Sequence, residues 1–201
     1  MKKADVKLLL ASSSPYRRAI LEKLNIPFTY ASPDINETPY QSEKAETLVR
    51  RLAEQKCVAC RSLYPEHYII GSDQAVEFEG NILGKPGNHS AATRQLESFS
   101  GKSVTFLTSV SLLLPNNDQP LTRIDTTTVH FRTLSHQDIE RYLRTDTPYD
   151  CAGSFKSEGL GIALFHKIET NDPNALVGLP LIHLIDLLHE AELAPLDYIR
   201  A

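Results

Sequence analysis

Tryptophan is absent from this 201-residue chain, methionine occurs once and cysteine three times. So few cysteines exclude a disulfide-stapled scaffold and fit a reducing compartment. Long apolar runs are missing too: no stretch approaches the roughly 18 residues of a membrane span. Met1-Lys2-Lys3-Ala4-Asp5 meets charge too early to open a secretory segment, so a cytoplasmic location without a membrane partner is expected. Nor is one sign of charge in large excess. A net charge of -4 argues against a general binder of nucleic-acid polymers, which usually presents a net basic face. Neither GxxxxGK[ST] nor GxGxxG occurs, which disfavours a P-loop enzyme and a dinucleotide oxidoreductase. No linker, internal repeat or low-complexity segment divides the chain, so residues 1–201 read as a single α/β domain with two closely packed lobes.

The first informative stretch is Leu8-Leu9-Leu10 followed by Ser12-Ser13-Ser14-Pro15 and Tyr16-Arg17-Arg18. A short apolar run of this kind fills a buried strand, serine caps helices, and proline is tolerated at the first helical position. The free N–H groups of such a helix start attract anions. Arginines in the first turn oppose the helix dipole, which an anionic ligand would offset. A surface helix with two solvated arginines fits the same residues. The helix should run to about Leu24, where Asn25-Ile26-Pro27 breaks the periodicity, and Phe28-Thr29-Tyr30 reads as a short strand. The proline-bounded loop from Ser32 to Pro39 carries Asp34 and Glu37, and loops on rigid scaffolds often carry function.

A second helix is expected from Ala45 to Leu63, with Val49, Leu52, Ala53, Cys60 and Leu63 on one face and Lys56 in the middle of that stripe. A lysine there either snorkels past the core or leans into a cleft toward a carboxylate or phosphate; its central position favours the cleft. Cys57 and Cys60 form a CxxC with no second pair, and read as small core residues. His67-Tyr68-Ile69-Ile70 reads as a buried strand that ends at Gly71-Ser72-Asp73-Gln74, where ligands gather in open α/β folds. Val76–Phe78 and Ile82-Leu83 suggest a hairpin that returns Lys85 toward Asp73. An aspartate, two lysines, an arginine and a helix start together suit phosphoryl transfer.

In this order, Leu10-Ala11-Ser12-Ser13-Ser14-Pro15-Tyr16-Arg17-Arg18, Asp34-Ile35-Asn36-Glu37, Lys56, Gly71-Ser72-Asp73-Gln74, Gly84-Lys85-Pro86, Gly153–Gly159 and Gly178-Leu179-Pro180 resemble the Maf family of nucleoside triphosphate pyrophosphatases nearly end to end. The resemblance implies an elongated mixed β-sheet with flanking helices and two lobes around a central cleft. It further implies that Asp73 accepts the proton and that Ser12, Arg17, Glu37, Lys56 and Lys85 line the cleft. Mg²⁺ or Mn²⁺ would be held by Glu37 and Asp73, and a homodimer is expected. Tyr16, Gln74 and Glu158 match the positions tied to substrate choice, and resemble the 7-methyl-GTP branch more than the thymidine and uridine triphosphate enzymes. A carboxylate at Glu158 can accept from guanine N1–H and N2–H₂, and methylation at N7 adds positive charge that suits Tyr16 and Glu158. The substrate expected is thus 7-methyl-GTP, with dTTP or UTP as the alternative and a non-catalytic nucleotide-binding regulator of division as the rival.

The remainder reads as scaffold. A helix is expected over Ala91–Phe99, strands over Val104–Leu114 and Thr122–Arg132, and a helix from the Ser135/Asp138 capping pair to Arg144. The glycine-rich Gly153–Gly161 segment by itself reads as a tight connection, whereas the family resemblance implies that Lys156 and Glu158 face the cleft; a strand Ile162–Phe165 is expected after it, and Pro180–Ala191 forms a final, strongly apolar helix. His130, His136 and His166 show no metal-ligand spacing.

Overall fold

The computed structural model of the chain describes residues 6–198, so the opening segment Met1–Asp5 lies outside the described residues. Seven strands form one mixed sheet. They are β1 (Leu8–Ala11), β2 (Phe28–Ala31), β3 (Tyr68–Phe78), β4 (Asn81–Leu83), β5 (Ser103–Leu113), β6 (Leu121–Phe131) and β7 (Phe165–Glu169). Their order is β2-β1-β3-β5-β6-β7, with β4 pairing to β3. Strand β1 is parallel to β2 and β3, and every other pairing is antiparallel. Helices α1 (Pro15–Glu22), α2 (Ala45–Arg61), α3 (His89–Phe99), α4 (His136–Asp146) and α5 (Leu181–Glu190) flank it.

The three 11-residue strands bridge two separate cores. One core joins Val76 and Phe78 of β3 and Phe106 of β5 to Leu96 and Phe99 of α3 and to Ile139 and Leu143 of α4. The other joins Ile70 of β3 and Leu112 of β5 to Leu8, Leu10, Ile20 of α1 and Leu184 of α5. Ser72, Asp73 and Gln74 fall in the stretch of β3 between the two. This corrects the sequence expectation that Asp73 ends a strand: it lies at the centre of β3, paired with Ser109 of β5. A strand carries polar residues through its middle only where they find partners, and both faces supply them.

The odd residues of β3 face α2. Ile69, Gly71, Asp73 and Ala75 lie under it, and a Cβ on Gly71 would sit 2.2 Å from the Ala53 carbonyl oxygen and 2.8 Å from Cys57 Sγ. Only glycine lets the helix come this close. Cys57 and Cys60 are buried and free, as expected of core residues, and burial pushes the Cys57 thiol far above its ordinary pKa. The stripe expected on α2 holds through Cys60, but the helix ends at Arg61 and Leu63 is 79% exposed.

Local signals read from the sequence recur in the caps. Ser14 caps α1, accepting from the Arg17 N–H at 3.4 Å, with Pro15 at the first helical position. Ser135 caps α4 and donates to Asp138 Oδ2 at 2.6 Å. The expected strand Ile162–Phe165 is different: Leu160–Leu164 form a short 3₁₀ turn, and β7 begins only at Phe165. Gly161 explains it, because a Cβ there would meet the Lys156 carbonyl oxygen at 2.4 Å, so the chain is folded back on itself rather than extended.

Gly71→Ala tests the helix–strand contact. Because the nearest obstructing atom is the backbone carbonyl oxygen of Ala53, it should cost roughly 1–3 kcal/mol or more in urea unfolding; wild-type stability would mean that α2 yields freely.

Candidate active site

A cavity of about 690 Å³ opens at the middle of β3. Nine of the ten residues expected in the cleft line it: Ser12, Tyr16, Arg17, Glu37, Lys56, Asp73, Gln74, Lys85 and Glu158. Lys156 does not. Its ammonium turns away to donate to the Asp146 carbonyl at 2.9 Å, which corrects the expectation that it faces the cleft.

The centre is a bridged ion cluster. Lys56 comes from the face of α2 pressed onto Gly71, and is only 5% exposed. Its Nζ donates to Asp73 Oδ1 at 2.6 Å and pairs with Glu37 Oε1 at 2.8 Å. A buried ammonium is tolerated only when paired, and here two carboxylates meet it. The Glu37 carboxyl is pushed up by burial, yet the bonded Lys56, with Arg17 and Lys85, outweighs this and holds it below its usual range. Arg17 is the converse: burial lowers its pKa, and the Asp73 and Glu37 charges pull it back. Arg17 Nε donates to the Gly178 carbonyl at 2.8 Å, which orients the guanidinium. Ser12 accepts from the Ser14 N–H at 3.1 Å, so its hydroxyl shapes the turn ahead of α1.

The even face of β3 holds a different structure, the loop from Asp172 to Gly178. Ser72 Oγ donates to the Gly178 carbonyl at 2.8 Å, the same acceptor that Arg17 uses. Gln74 Nε2 lies 3.1 Å from both the Ala175 and Leu176 carbonyls and 2.9 Å from Thr108 Oγ1. The two carbonyls fix the orientation of this amide. Its donors are therefore consumed by the protein, and Oε1 is what Gln74 has left to offer. Asp172 braces the loop by accepting from the Ile182 N–H at 2.6 Å and the Asn174 N–H at 2.8 Å.

Around Tyr16 the character changes. Burial, then Cys151 and Asp150, push its phenol up to about 12, so it stays neutral. Glu158 contributes in the same direction. Among the described residues no group of three His, Cys, Asp or Glu side chains could hold a metal ion. Glu37 and Asp73 nevertheless present hard oxygen donors on the same ammonium, a set that suits an ion shared with a ligand's own phosphates.

Arg51 was not anticipated from the sequence. It reaches from α2 to the acidic loop, where Nε and Nη2 bond Glu43 Oε1 and Oε2 at 2.8 and 2.7 Å and Nη2 donates to the Thr38 carbonyl at 3.2 Å. Its guanidinium also lies 4.0 Å from the Tyr40 ring centroid. Glu37 is therefore delivered to Lys56 by a loop that the same helix clamps. A partner eight residues away across a loop leaves no periodic signal, so nothing in the pattern could have revealed it.

Residues 7–191 match the family described as Maf-like protein. The chain is 51% identical over 195 residues to a Pseudoalteromonas atlantica protein named 7-methyl-GTP pyrophosphatase, covering 97% of this chain and all of that one. It is 52% identical over 183 residues to a Pseudomonas aeruginosa protein of the same name, covering 91% and 95% of the two chains. Among solved structures, the Staphylococcus aureus Ham1 protein is similar with a TM-score of 0.55 at 14% identity, over 92% of this chain and 99% of that one, a likeness of fold alone.

The clamp predicts a titration. Arg51 holds the Glu43 carboxyl down to about 2. A depressed folded value means that the clamp is intact above the ordinary carboxylate range and is lost only as pH falls toward that value. Carboxyl ¹³C NMR should follow Glu43 titrating near pH 2 in the wild type and in the ordinary range in Arg51→Ala; an unshifted wild-type value would refute the clamp.

Proposed function

Since the chain belongs to the Maf family, we propose that it is a nucleoside triphosphate pyrophosphatase, cleaving between the α- and β-phosphates to give nucleoside monophosphate and pyrophosphate. The observation that carries this reading is the Lys56 ammonium bonded to both Asp73 and Glu37 inside a cavity that Arg17 and Lys85 also line. Asp73 takes the proton of the attacking water. Its Oδ1 is oriented by Lys56, and its backbone is held in the centre of the sheet, so the base has little freedom to wander. Arg17, Lys56, Lys85 and the N-terminus of α1 neutralise the phosphate charge that develops as the bond to pyrophosphate breaks. Glu37 and Asp73 are the residues that would hold Mg²⁺ or Mn²⁺, and such an ion, when bound, polarises phosphoryl oxygens as a Lewis acid.

The preferred substrate, on this reading, is 7-methyl-GTP. Relatives about half identical over nearly the whole chain carry that name, and the side chains at the discriminating positions suit it. Glu158 is an acceptor, and Gln74 has only its acceptor oxygen to spare once Nε2 is spent on the 175–176 carbonyls. Guanine presents the adjacent donors N1–H and N2–H₂ to such groups, whereas uracil and thymine have no such pair. Tyr16, neutral and in the same wall, offers a ring face for stacking.

A general base is worth about 10²–10⁴ in rate, so Asp73→Asn should lose kcat on that scale in a pyrophosphate-release assay while its circular dichroism is unchanged. A wild-type rate in that variant would remove Asp73 from the mechanism. For the base, kcat/KM should follow 7-methyl-GTP above GTP, and both above UTP and dTTP. Preference for a pyrimidine would sink the substrate assignment and leave the pyrophosphatase chemistry standing; tight binding without turnover of any nucleotide would instead favour a regulator.

A further inference from the structure

Glu158 brings a single negative charge to a methylated base. Guanine and 7-methylguanine present the same N2–H₂ donors, while methylation at N7 removes one acceptor and gives the ring a positive charge. A feature that reads charge distinguishes them without touching N7. The wall holding Tyr16 and Glu158 contains one that the proposed reaction does not use, Asp150.

Asp150 stands on a rigid support. The Cys151 N–H donates to the Pro148 carbonyl at 3.2 Å and the Gly87 N–H to the Tyr149 carbonyl at 2.9 Å, so the turn is tied to the loop that bears Lys85. The Tyr149 hydroxyl sits 2.9 Å from His89 Nδ1 and donates to the Leu143 carbonyl at 3.3 Å. Beyond it the chain reverses at Gly153, whose φ of +78° and whose place against the Phe106 ring, 2.8 Å from where a Cβ would lie, admit glycine alone.

Its charge is also unspent. The hydrogen bond found for Asp150 comes from the neighbouring Cys151 thiol at 3.5 Å, and the one found for Glu158 comes from the Ser157 hydroxyl at 3.5 Å. Lys156, the basic residue of this segment, gives its ammonium to the Asp146 carbonyl instead. Asp150, Glu158 and Tyr16 line the same cavity.

We propose that Asp150 is a second specificity-determining residue, whose carboxylate acts with Glu158 and the Tyr16 ring to select a positively charged base over a neutral base with the same donor edge. The inference rests on the pyrophosphatase reading above. Glu158 reads the donor edge, which both guanines share. Asp150 adds the second negative charge, and the ring face of Tyr16 adds cation–π attraction. Both favour the methylated ring through its charge alone.

The measurement is the ratio of kcat/KM for 7-methyl-GTP to that for GTP, in which contributions of the identical triphosphates cancel. Asp150→Asn should lower this ratio roughly three- to tenfold, the share left to a partly solvated charge, and Asp150→Glu should restore it. A purely structural role would depress both substrates together and leave the ratio at its wild-type value, which would overturn the inference. Should the Asn variant fail to fold, the wild-type enzyme decides: raising salt from about 0.05 to 0.5 M screens a charge-based preference, so the ratio should fall, and a salt-independent ratio would refute the proposal. Release of no pyrophosphate from either nucleotide would instead remove the parent reading, and the inference with it.

Discussion

Everything at the centre of this protein depends on how closely α2 lies on β3. Gly71 permits that approach, and one turn along the helix it presses Lys56 against the sheet beside Asp73. A buried, unpaired ammonium would cost several kcal/mol, so the close packing that stabilises the lobe also obliges a carboxylate to occupy the middle of the strand. Glu37 adds a second, from a loop that Arg51 on the same helix holds in place. One helix thus supplies the cation, buries it, and positions half of the acidic partners it requires.

The alternation of β3 then divides the labour. Its odd face carries Asp73 to Lys56; its even face carries Ser72 and Gln74 to the Asp172–Gly178 loop. Because neighbouring residues of a strand point to opposite sides, the Lys56 cluster and the Asp172–Gly178 loop are both met by adjacent residues of one backbone without competing for space. The Gly178 carbonyl joins them, accepting from Ser72 on the strand and from Arg17 on α1. A displacement of that loop would be felt by the arginine and by the wall around Gln74 together.

Much of this was legible in the sequence. A lysine in the apolar stripe of α2 had no comfortable place in a core, and the structure gives it a carboxylate; Ser14-Pro15 announced the cap of α1. What misled was local reading of residues whose reasons are distant. Ser72, Asp73 and Gln74 interrupt an apolar run and so mimic the end of a strand, but each has a buried partner on another element and β3 continues through them. The apolar Ile162–Phe165 run reads as a strand, since short runs carry no period that separates strand from turn, whereas the packing of Gly161 on Lys156 decides otherwise. Arg51 escaped for the same reason: its significance comes from contacts across a loop, and spacing along the chain does not encode those.

The bridged lysine raises a question of availability, since a cation already holding two carboxylates must still meet a phosphate. An ammonium has three N–H donors, and Asp73 and Glu37 take two of them at 2.6 and 2.8 Å. The third is left for an anion entering the cavity, so substrate can add to the cluster without dismantling it. Asp73 for its part gives only Oδ1 to Lys56, which leaves Oδ2 outside that bond. Pairing and reactivity are compatible here because each partner is only partly saturated. The same lysine that makes the buried aspartate tolerable also holds it in place, while Arg17 and Lys85 bring further positive charge to the same cavity.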